Sequence, residues 1–510
     1  MPGALSQLTS YGVADAYLTG APEVTYFKQV YRRHTNFALE AVDQAFDGQA
    51  DFGKKATVTL SKNGDLVSRM WVQVTLPDLY EFHPTTTATL ATGEQDTVDV
   101  TATPLSTGIA SASLTPTQGT PATAMWTFTP PGGSPATLAY TKDGVAFSDA
   151  ACTAEIASWP YLAPVLTAGV VTAYIPPTVQ MRWCNSVGHA LMSSIELEIG
   201  GQRIDKHYGE WMDVWSELTE KEEKRSGMWD MIGKYPDAEY EVATRRQSAR
   251  RTYYIPLVFC FNRTQGMALP IIALPYHQIK INVEFRPYLE CLRSSVAISR
   301  LEAKRGGALP SFEDVRMYAD YVFLDTPERR RFATTPHEYL FEQLQFLGDE
   351  AILENTSNRK LTLNFSHPVK ELVWVYTAKE FYDGSDSTTG NQWFRYDVPG
   401  APGKDVFTEA KLLLNGSDRT VARPAGYFRM VQPYQHHTRC PSKNVYVYSF
   451  ALTPEDLQPS GTCNFSRVDT AHLNISFDSS IIQQGRIKVF AFSYNVLKVQ
   501  GGMAGLAFAG

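Results

Sequence analysis

Short apolar runs separated by turn residues dominate the chain, and they follow the period of two that strands require. Such runs begin near Phe37, Ala56, Leu66, Ala190, Gln202, Tyr253, Gln278 and Arg316. They begin again near Glu342, Leu361, Glu371, Lys411, Asp418, Asn444, His472 and Lys488. They are rich in Val, Ile, Thr, Tyr and Phe and are punctuated by 35 Gly and 30 Pro, the make-up of a β-sandwich protein. One stretch departs from this pattern. In "YGEWMDVWSELTEKEEKRSGMWDM", Trp211, Val214, Trp215 and Leu218 recur at i, i+3, i+4 and i+7, which predicts a helix with one apolar face. Glu220 to Arg225 then form a solvated charged run.

The chain repeats itself. "LEIGGQR" (197–203) returns as "LLLNGSDR" (412–419), each with a Gly-Gly or Asn-Gly turn that supplies the positive φ a tight hairpin needs. "INVEF" (281–285) returns as "LNISF" (473–477), and "YIPLVFCF" (254–261) as "VYVYSFAL" (445–452). "SKNGDLV" (61–67) and "YADYVFL" (318–324) are echoed by "SHPVKELV" (366–373) and "AFSYNVL" (491–497). The five echoes keep one order, so an all-β fold of two tandem eight-stranded jelly-roll β-sandwiches is expected, joined near "DTPERRRFATTP" (325–336).

The halves differ in two loops. With the strands lettered B to I, the first half carries roughly 90 extra residues between D and E and roughly 24 more between F and G. The expected layout is an N-terminal arm (1–24), a first jelly roll (25–325) and a second (326–510). The first jelly roll holds an inserted D–E loop module (84–178) and an F–G insert with a helix (205–250). The larger insert is Thr/Ala/Pro-rich, with Lys142 its single basic residue. Its alternating runs carry Trp126, Phe128, Tyr140, Trp159 and Tyr174, which predict a small β-module rather than a bare linker. Both enlarged loops fall at one end of the sandwich, where they are expected to build an outward tower.

Composition narrows the function. The formal net charge is -7, so the basic and aromatic stretch "TYFKQVYRRHTNF" (25–37) is a local patch on an acidic chain. A dedicated nucleic-acid binder carries a basic excess, and no direct contact with nucleic acid is expected. The stretch "ERRRF" (328–332) stands ahead of the second strand B as "YRRHTNF" stands ahead of the first. Both read as packing and ion-pairing elements. Cys152, Cys184, Cys260, Cys291, Cys440 and Cys463 form no CxxC pair and read as reduced thiols. The start "MPGALSQLTSYGV" lacks the features of a secretory signal, and no run of 18 apolar residues occurs.

Chemistry is sparse. "YQHHT" offers His436 and His437, but neighbours on a strand point to opposite faces and do not share an ion. "PHEYLFEQ" begins like a zinc-protease motif but has Phe341 where the second His is required. Sequons at Asn262, Asn355, Asn364, Asn415, Asn464 and Asn474 carry no functional assignment; Asn364 and Asn474 fall in predicted strands. No catalytic, cofactor-binding or metal-ligating residue is assigned, and no cofactor is expected. The alternative for a tandem jelly roll is a carbohydrate-active enzyme or glycan-binding module, with paired carboxylates across the sheets.

Long motifs complete the picture. "YGVADAYLTGAPEVTYFKQVYRRHTNFALE", "SVGHALMSSIELEIGGQRIDKHYGEWMDVWSELT", "PLVFCFNRTQGMALPIIALPYHQIKINVEF", "MVQPYQHHT", "PSGTCNFSRVDTAHLNISF" and "YNVLKVQGGMAGLAFAG" resemble the major capsid protein of nucleocytoplasmic large DNA viruses. The resemblance runs from Leu5 to Gly510, interrupted chiefly by the D–E insert. It implies a homotrimeric, pseudo-hexagonal capsomer in an icosahedral shell of a large double-stranded DNA virus. It further implies synthesis in the host cytoplasm and contacts with neighbouring capsomers, minor capsid and penton proteins, and an inner membrane layer.

Overall fold

The computed structural model describes residues 3–23, 31–79, 181–236, 249–294, 310–383, 390–401, 403–478 and 483–508, and between 87 and 174 the backbone of seven short strands. Eight strands make the first sandwich: β1 (Phe37–Gln44), β2 (Lys55–Thr59), β3 (Leu66–Leu76), β4 (Met192–Ile199), β5 (Gln202–Tyr208), β6 (Arg251–Pro256), β7 (Ile279–Phe285) and β8 (Asp314–Leu324). Eight more make the second: β9 (His337–Ile352), β10 (Asn358–Thr362), β11 (Pro368–Ala378), β12 (Glu409–Leu414), β13 (Ser417–Asp418), β14 (Val445–Ser449), β15 (Ala471–Ser476) and β16 (Gly485–Gln500).

The two halves share one topology. The first pairs its strands as β1-β8-β3-β6 and β5-β4-β7-β2, and the second as β9-β16-β11-β14 and β13-β12-β15-β10. Every pairing is antiparallel, and strand n of the first half corresponds to strand n+8 of the second. This is the jelly roll expected from the sequence, met twice. The five echoes fall on corresponding strands: β4–β5 with β12–β13, β7 with β15, β6 with β14, β3 with β11, and β8 with β16. The β4–β5 turn places Gly200 and Gly201 at φ 59° and 86°, and its counterpart places Asn415 and Gly416 at 50° and 77°. Only residues tolerant of left-handed backbone close a two-residue hairpin of this kind.

Strand β9 starts five residues ahead of the position read from hydrophobicity, because His337 and Glu338 pair with Val499 and Lys498 despite being polar. Asn364 lies just past β10 rather than within a strand, whereas Asn474 sits inside β15. Strand β5 continues to Tyr208, so the F–G insertion starts at Gly209. Within the D–E insert, Ser113–Gly119, Thr123–Thr129, Ala136–Lys142 and Val145–Phe147 form a meander. Thr87–Ala91, Val165–Thr167 and Val170–Tyr174 form a second small sheet. At the N-terminus, α1 (Gly3–Thr9) and α2 (Asp15–Thr19) bury no residue.

Each sandwich has its own core, but one core extends through both. Leu372, Trp374 and Tyr376 on β11 pack with Leu473 and Ile475 inside the second sandwich. Their neighbours Val373 and Val375 join the first sandwich's cluster, together with Phe490 and Phe492 of β16. The sheet β9-β16-β11-β14 is therefore buried on both faces, which explains why "VKELVWVY" reads as nearly unbroken burial rather than alternation. What covers its outer face is α3 (Gly209–Thr219), the predicted helix of the F–G insertion. Trp211 lies 5.4 Å from Phe490 and 5.8 Å from Phe492 by ring centroids, and Trp215 lies 5.2 Å from Phe492. The expectation that this helix builds an outward tower is corrected: its apolar face is spent on the second sandwich.

Truncating a fully buried tryptophan at this seam removes packing from both sandwiches. Trp211→Ala is expected to cost about 3–5 kcal/mol, measured as a drop in the urea midpoint. A loss below about 1 kcal/mol would show that α3 is not what joins the sandwiches.

Candidate functional site

The junction is built from charge as well as from apolar surface. Helix α3 carries Glu210, Asp213 and Glu217, all buried, and they meet cations from both sandwiches. Lys443 reaches Asp213 at 2.7 Å, and Lys234 reaches the same carboxylate at 3.1 Å while also pairing with Glu217. Ser442 Oγ donates to Glu217 at 2.8 Å, and Arg439 lies 3.4 Å from it. Glu210 meets Lys488 at 2.9 Å and Arg286 at 3.7 Å.

Burial alone would raise these acids. Lys488 and then Arg286 outweigh it at Glu210 and hold its carboxyl down at about 2. Lys234 and Lys443 do the same for Asp213 and Glu217, which stay below the usual carboxylate range. A buried charge without its partner is costly, so each acid fixes where its cations must lie. This network was not legible in the local pattern, since acids on a helix ordinarily face water.

A second tie runs through the β11–β12 connection. Asn391, at φ 59°, donates through Nδ2 to the carbonyls of Leu289 (2.8 Å) and Leu292 (2.7 Å) in the first sandwich. Trp393 Nε1 donates to Glu290 O at 2.9 Å, and the Arg286 guanidinium stacks 3.7 Å from the Trp393 ring centroid.

The candidate metal ligands do other work. "YQHHT" ends a short helix, Gln432–His436, so the strand geometry invoked against a shared ion is corrected. His436 Nδ1 donates to Leu452 O at 2.9 Å. His437 is buried between two carboxylates, with Nε2 2.8 Å from Glu371 and Nδ1 2.8 Å from Glu455. His337 starts β9, and its Nε2 bonds to Phe332 O at 2.9 Å. Among the described residues no group of three or more His, Cys, Asp or Glu is arranged to hold a metal ion.

The remaining sequence candidates are dispersed. Arg32, Arg33 and His34 lie exposed ahead of β1, while residues 25–30 lie outside those described. In the linker helix Thr326–Thr334, Arg329 pairs with Asp65 at 3.0 Å, tying it to the first sandwich. Cys184, Cys260 and Cys291 are buried free thiols, Cys463 is half-buried and Cys440 is exposed; Cys152 lies outside the described residues. Several sequon asparagines serve turns: Asn415 Oδ1 accepts from Asp469 and Thr470, Asn464 caps Ser466, and Asn262 Nδ2 donates to Ser68 O.

The two sandwiches are unequally covered. Aligned through Leu324 and Leu497, Phe37 of β1 corresponds to Tyr339 of β9, so "FALEAV" stands opposite "YLFEQL". Phe341 and Leu344 are each 6% exposed against the first sandwich, whereas Phe37 and Leu39 are 50% and 55% exposed. Among the described residues β1 and β9 both stand at the edge of their sheets, so the difference lies in what packs against them.

A pH response follows from His437. Burial would lower its pKa, but Glu371 and Glu455 outweigh burial and raise it to about 9. Its folded value lies above its unfolded one, so its contribution is full below about pH 6.5 and fades as pH rises through about 9. The stability gap between wild type and His437→Gln, on the order of 3 kcal/mol at pH 6, is expected to shrink by pH 10. Urea titrations of both chains at the two pH values check this, and a gap independent of pH would refute it.

Comparison with known proteins agrees with the architecture. Residues 328–505 match the family described as large eukaryotic DNA virus major capsid protein, and residues 25–99 and 162–325 match the major capsid protein N-terminus. The unmatched residues between those two blocks fall inside the D–E insert. The chain is 34% identical to the major capsid protein of Phaeocystis pouchetii virus and 36% identical to that of Pyramimonas orientalis virus, each over 100% of both chains. It superposes on a chain of the PBCV-1 virus capsid with a TM-score of 0.64 at 28% identity, covering 95% of this chain and 100% of that one. The Faustovirus major capsid protein, at 12% identity, shares the fold with a TM-score of 0.62. These relatives are structural proteins, which sets aside the carbohydrate-active alternative. A double jelly roll whose whole length matches such relatives belongs to the major capsid proteins of large eukaryotic DNA viruses, a structural component of the virion shell and not an enzyme.

Proposed function

We propose that three copies of this chain close into a pseudo-hexagonal capsomer that tiles the icosahedral shell. The observation that carries this reading is the unequal covering of two equivalent edges. Phe341 and Glu342 of β9 are buried against the first sandwich of their own chain, while their counterparts Leu39 and Glu40 on β1 are exposed. An interface whose two halves lie on different sandwiches is heterologous, and repeating it around a closed ring of three chains gives six sandwiches in near-equivalent places. A permanent contact of this kind buries more than about 2,000 Å².

In this reading the chain divides into an arm (1–24), a first jelly roll (25–325) with its D–E module (84–178) and F–G insertion (209–250), and a second jelly roll (326–510). The ends of β1 and β3 and the starts of β6 and β8 meet at one end of the first sandwich, which supports the D–E module facing outward there. The basic segments lie toward the other end, ahead of the start of β1 and after the end of β8. Leu8, Tyr17 and Leu18 on the arm are 78%, 88% and 83% exposed, which supports its ordering against neighbouring capsomers, minor capsid or penton proteins, or the inner membrane layer. Synthesis in the host cytoplasm fits the free thiols, and no catalytic, cofactor or metal residue is assigned.

Native mass spectrometry is expected to show a trimer of about 170 kDa from chains of 56.8 kDa. A dimer, or a monomer that persists at high concentration, would sink the capsomer reading. Replacing residues 84–178 with a short Gly/Ser turn is expected to leave that trimer intact, because the sandwich cores lie elsewhere. Loss of the trimer in this variant would place the module within the subunit contact instead.

A further inference from the structure

The junction inside one chain is a template for the contact between chains, and the residues that differ between the two halves say how that contact is made. Inside the chain, Phe341 of β9 and Phe261 line one apolar seam between the sandwiches. Gln343 Nε2 donates to Ile204 O at 2.8 Å, Leu344 N donates to Asp205 Oδ1 at 3.1 Å, and Glu342 is paired with Arg263.

The counterparts of Phe341, Glu342 and Phe261 are exposed. By the strand registers, Phe341 and Glu342 correspond to Leu39 and Glu40 on β1. The echo of "YIPLVFCF" in "VYVYSFAL" makes Leu452 the counterpart of Phe261. Phe261 is 4% exposed and Leu452 is 71% exposed. The same alignment puts Pro454 where Arg263 stands, so the second sandwich lacks the cation that meets the edge-strand glutamate from across the junction, Lys370 meeting it from its own sheet. It has another nearby. Asp418 pairs with Leu413 as Arg203 pairs with Glu198, which puts Arg419 in the place of Ile204. Arg419 is exposed, and it lies near enough to Tyr448 and Cys463 to act on both electrostatically. Among the described residues neither Glu40 nor Arg419 has an ion-pair partner.

We propose that Leu39 and Glu40 on the edge strand of one copy dock against Leu452 and Arg419 on the second sandwich of the next copy. The proposal rests on the trimer reading above and deepens it by naming the contact. The occupant is a second copy of this chain because the surface repeats, strand for strand, one that this chain already covers with itself. Charge agrees: an unpaired acid faces an unpaired base, and opposite charges across an interface fix register and exclude wrong partners. The neighbouring surface agrees as well. Helix α3 covers the outer face of β9-β16-β11-β14, whereas the corresponding face of the first sandwich, where Trp71 and Tyr318 stack 5.6 Å apart, is only half-buried. The segment that corresponds to α3, after β13, presents Tyr434 at 80% exposure.

The test is a charge swap on the full chain. Glu40→Arg and Arg419→Glu are each expected to raise the concentration needed for trimer about tenfold or more, read by native mass spectrometry across a dilution series. The double variant is expected to recover the wild-type dilution profile. Leu452→Asp tests the apolar half and is expected to weaken the trimer without lowering the urea midpoint of the monomer, since the side chain is exposed. Single variants that trimerise like a trimeric wild type would overturn this contact and leave the capsomer reading standing. A double variant as weak as the singles would overturn the pairing of Glu40 with Arg419. A wild-type chain that forms no trimer would overturn the capsomer reading, and this contact with it.

Discussion

Helix α3 of the first sandwich lies on the outer face of the sheet β9-β16-β11-β14, and much of the chain's organisation depends on that contact. A jelly-roll sheet has one face toward its own core and one toward solvent. Here the solvent side is covered, and Val373, Val375, Phe490 and Phe492 join a cluster that begins in the other sandwich. The consequence is mechanical. Two sandwiches connected only by the Asp325–Pro336 segment would swing, whereas two sandwiches that share a core hold one relative orientation. A shell built from repeated copies requires such rigidity, because every error in orientation is repeated from copy to copy.

Apolar contact alone does not choose an orientation, since it is not directional. The acids of α3 supply the direction. Glu210 faces Lys488 and Arg286, while Asp213 and Glu217 face Lys443, Lys234 and Arg439, so cations from both sandwiches must arrive together. Replacing buried ion pairs with apolar residues often leaves stability unchanged or raises it, so the value of this network lies in register rather than in total stability. A slip of the helix by one turn would leave several charges buried without partners, at a cost of several kcal/mol each.

Much of this was legible in the sequence, and the failures have a common cause. Strands were readable because alternation and Gly or Asn turns are local signals, and the echo of "LEIGGQR" in "LLLNGSDR" marked a repeated hairpin. The helix at Trp211 was readable from its period. Its destination was not. Glu210, Asp213 and Glu217 look like a solvated face until Lys443 and Lys488, more than two hundred positions later, are brought beside them. His437 failed in the same way: Glu371 and Glu455 give it a role that its neighbours in "YQHHT" do not reveal. Local pattern specifies elements, and only long-range pairing assigns the charges.

The internal repeat carries a constraint that a single chain does not satisfy. "FALEAV" on β1 and "YLFEQL" on β9 have the same alternation, with large apolar residues and a glutamate at matching positions. Phe341, Glu342 and Leu344 of the one are buried, while Phe37, Leu39 and Glu40 of the other are exposed. An exposed edge strand with Phe37 and Leu39 is a liability in a free chain, because its unpaired backbone and apolar side chains invite association. Lys or Pro would blunt such an edge, yet neither occurs between Phe37 and Gln44. The edge is therefore kept competent for contact. Whether that leads to a closed particle or to an endless chain depends on the angle between the two sandwiches, since a heterologous interface closes into a ring only if its rotation divides a full turn. The junction under α3 sets that angle, so in the proposed trimer the same buried acids that hold one chain rigid would also decide whether the ring closes.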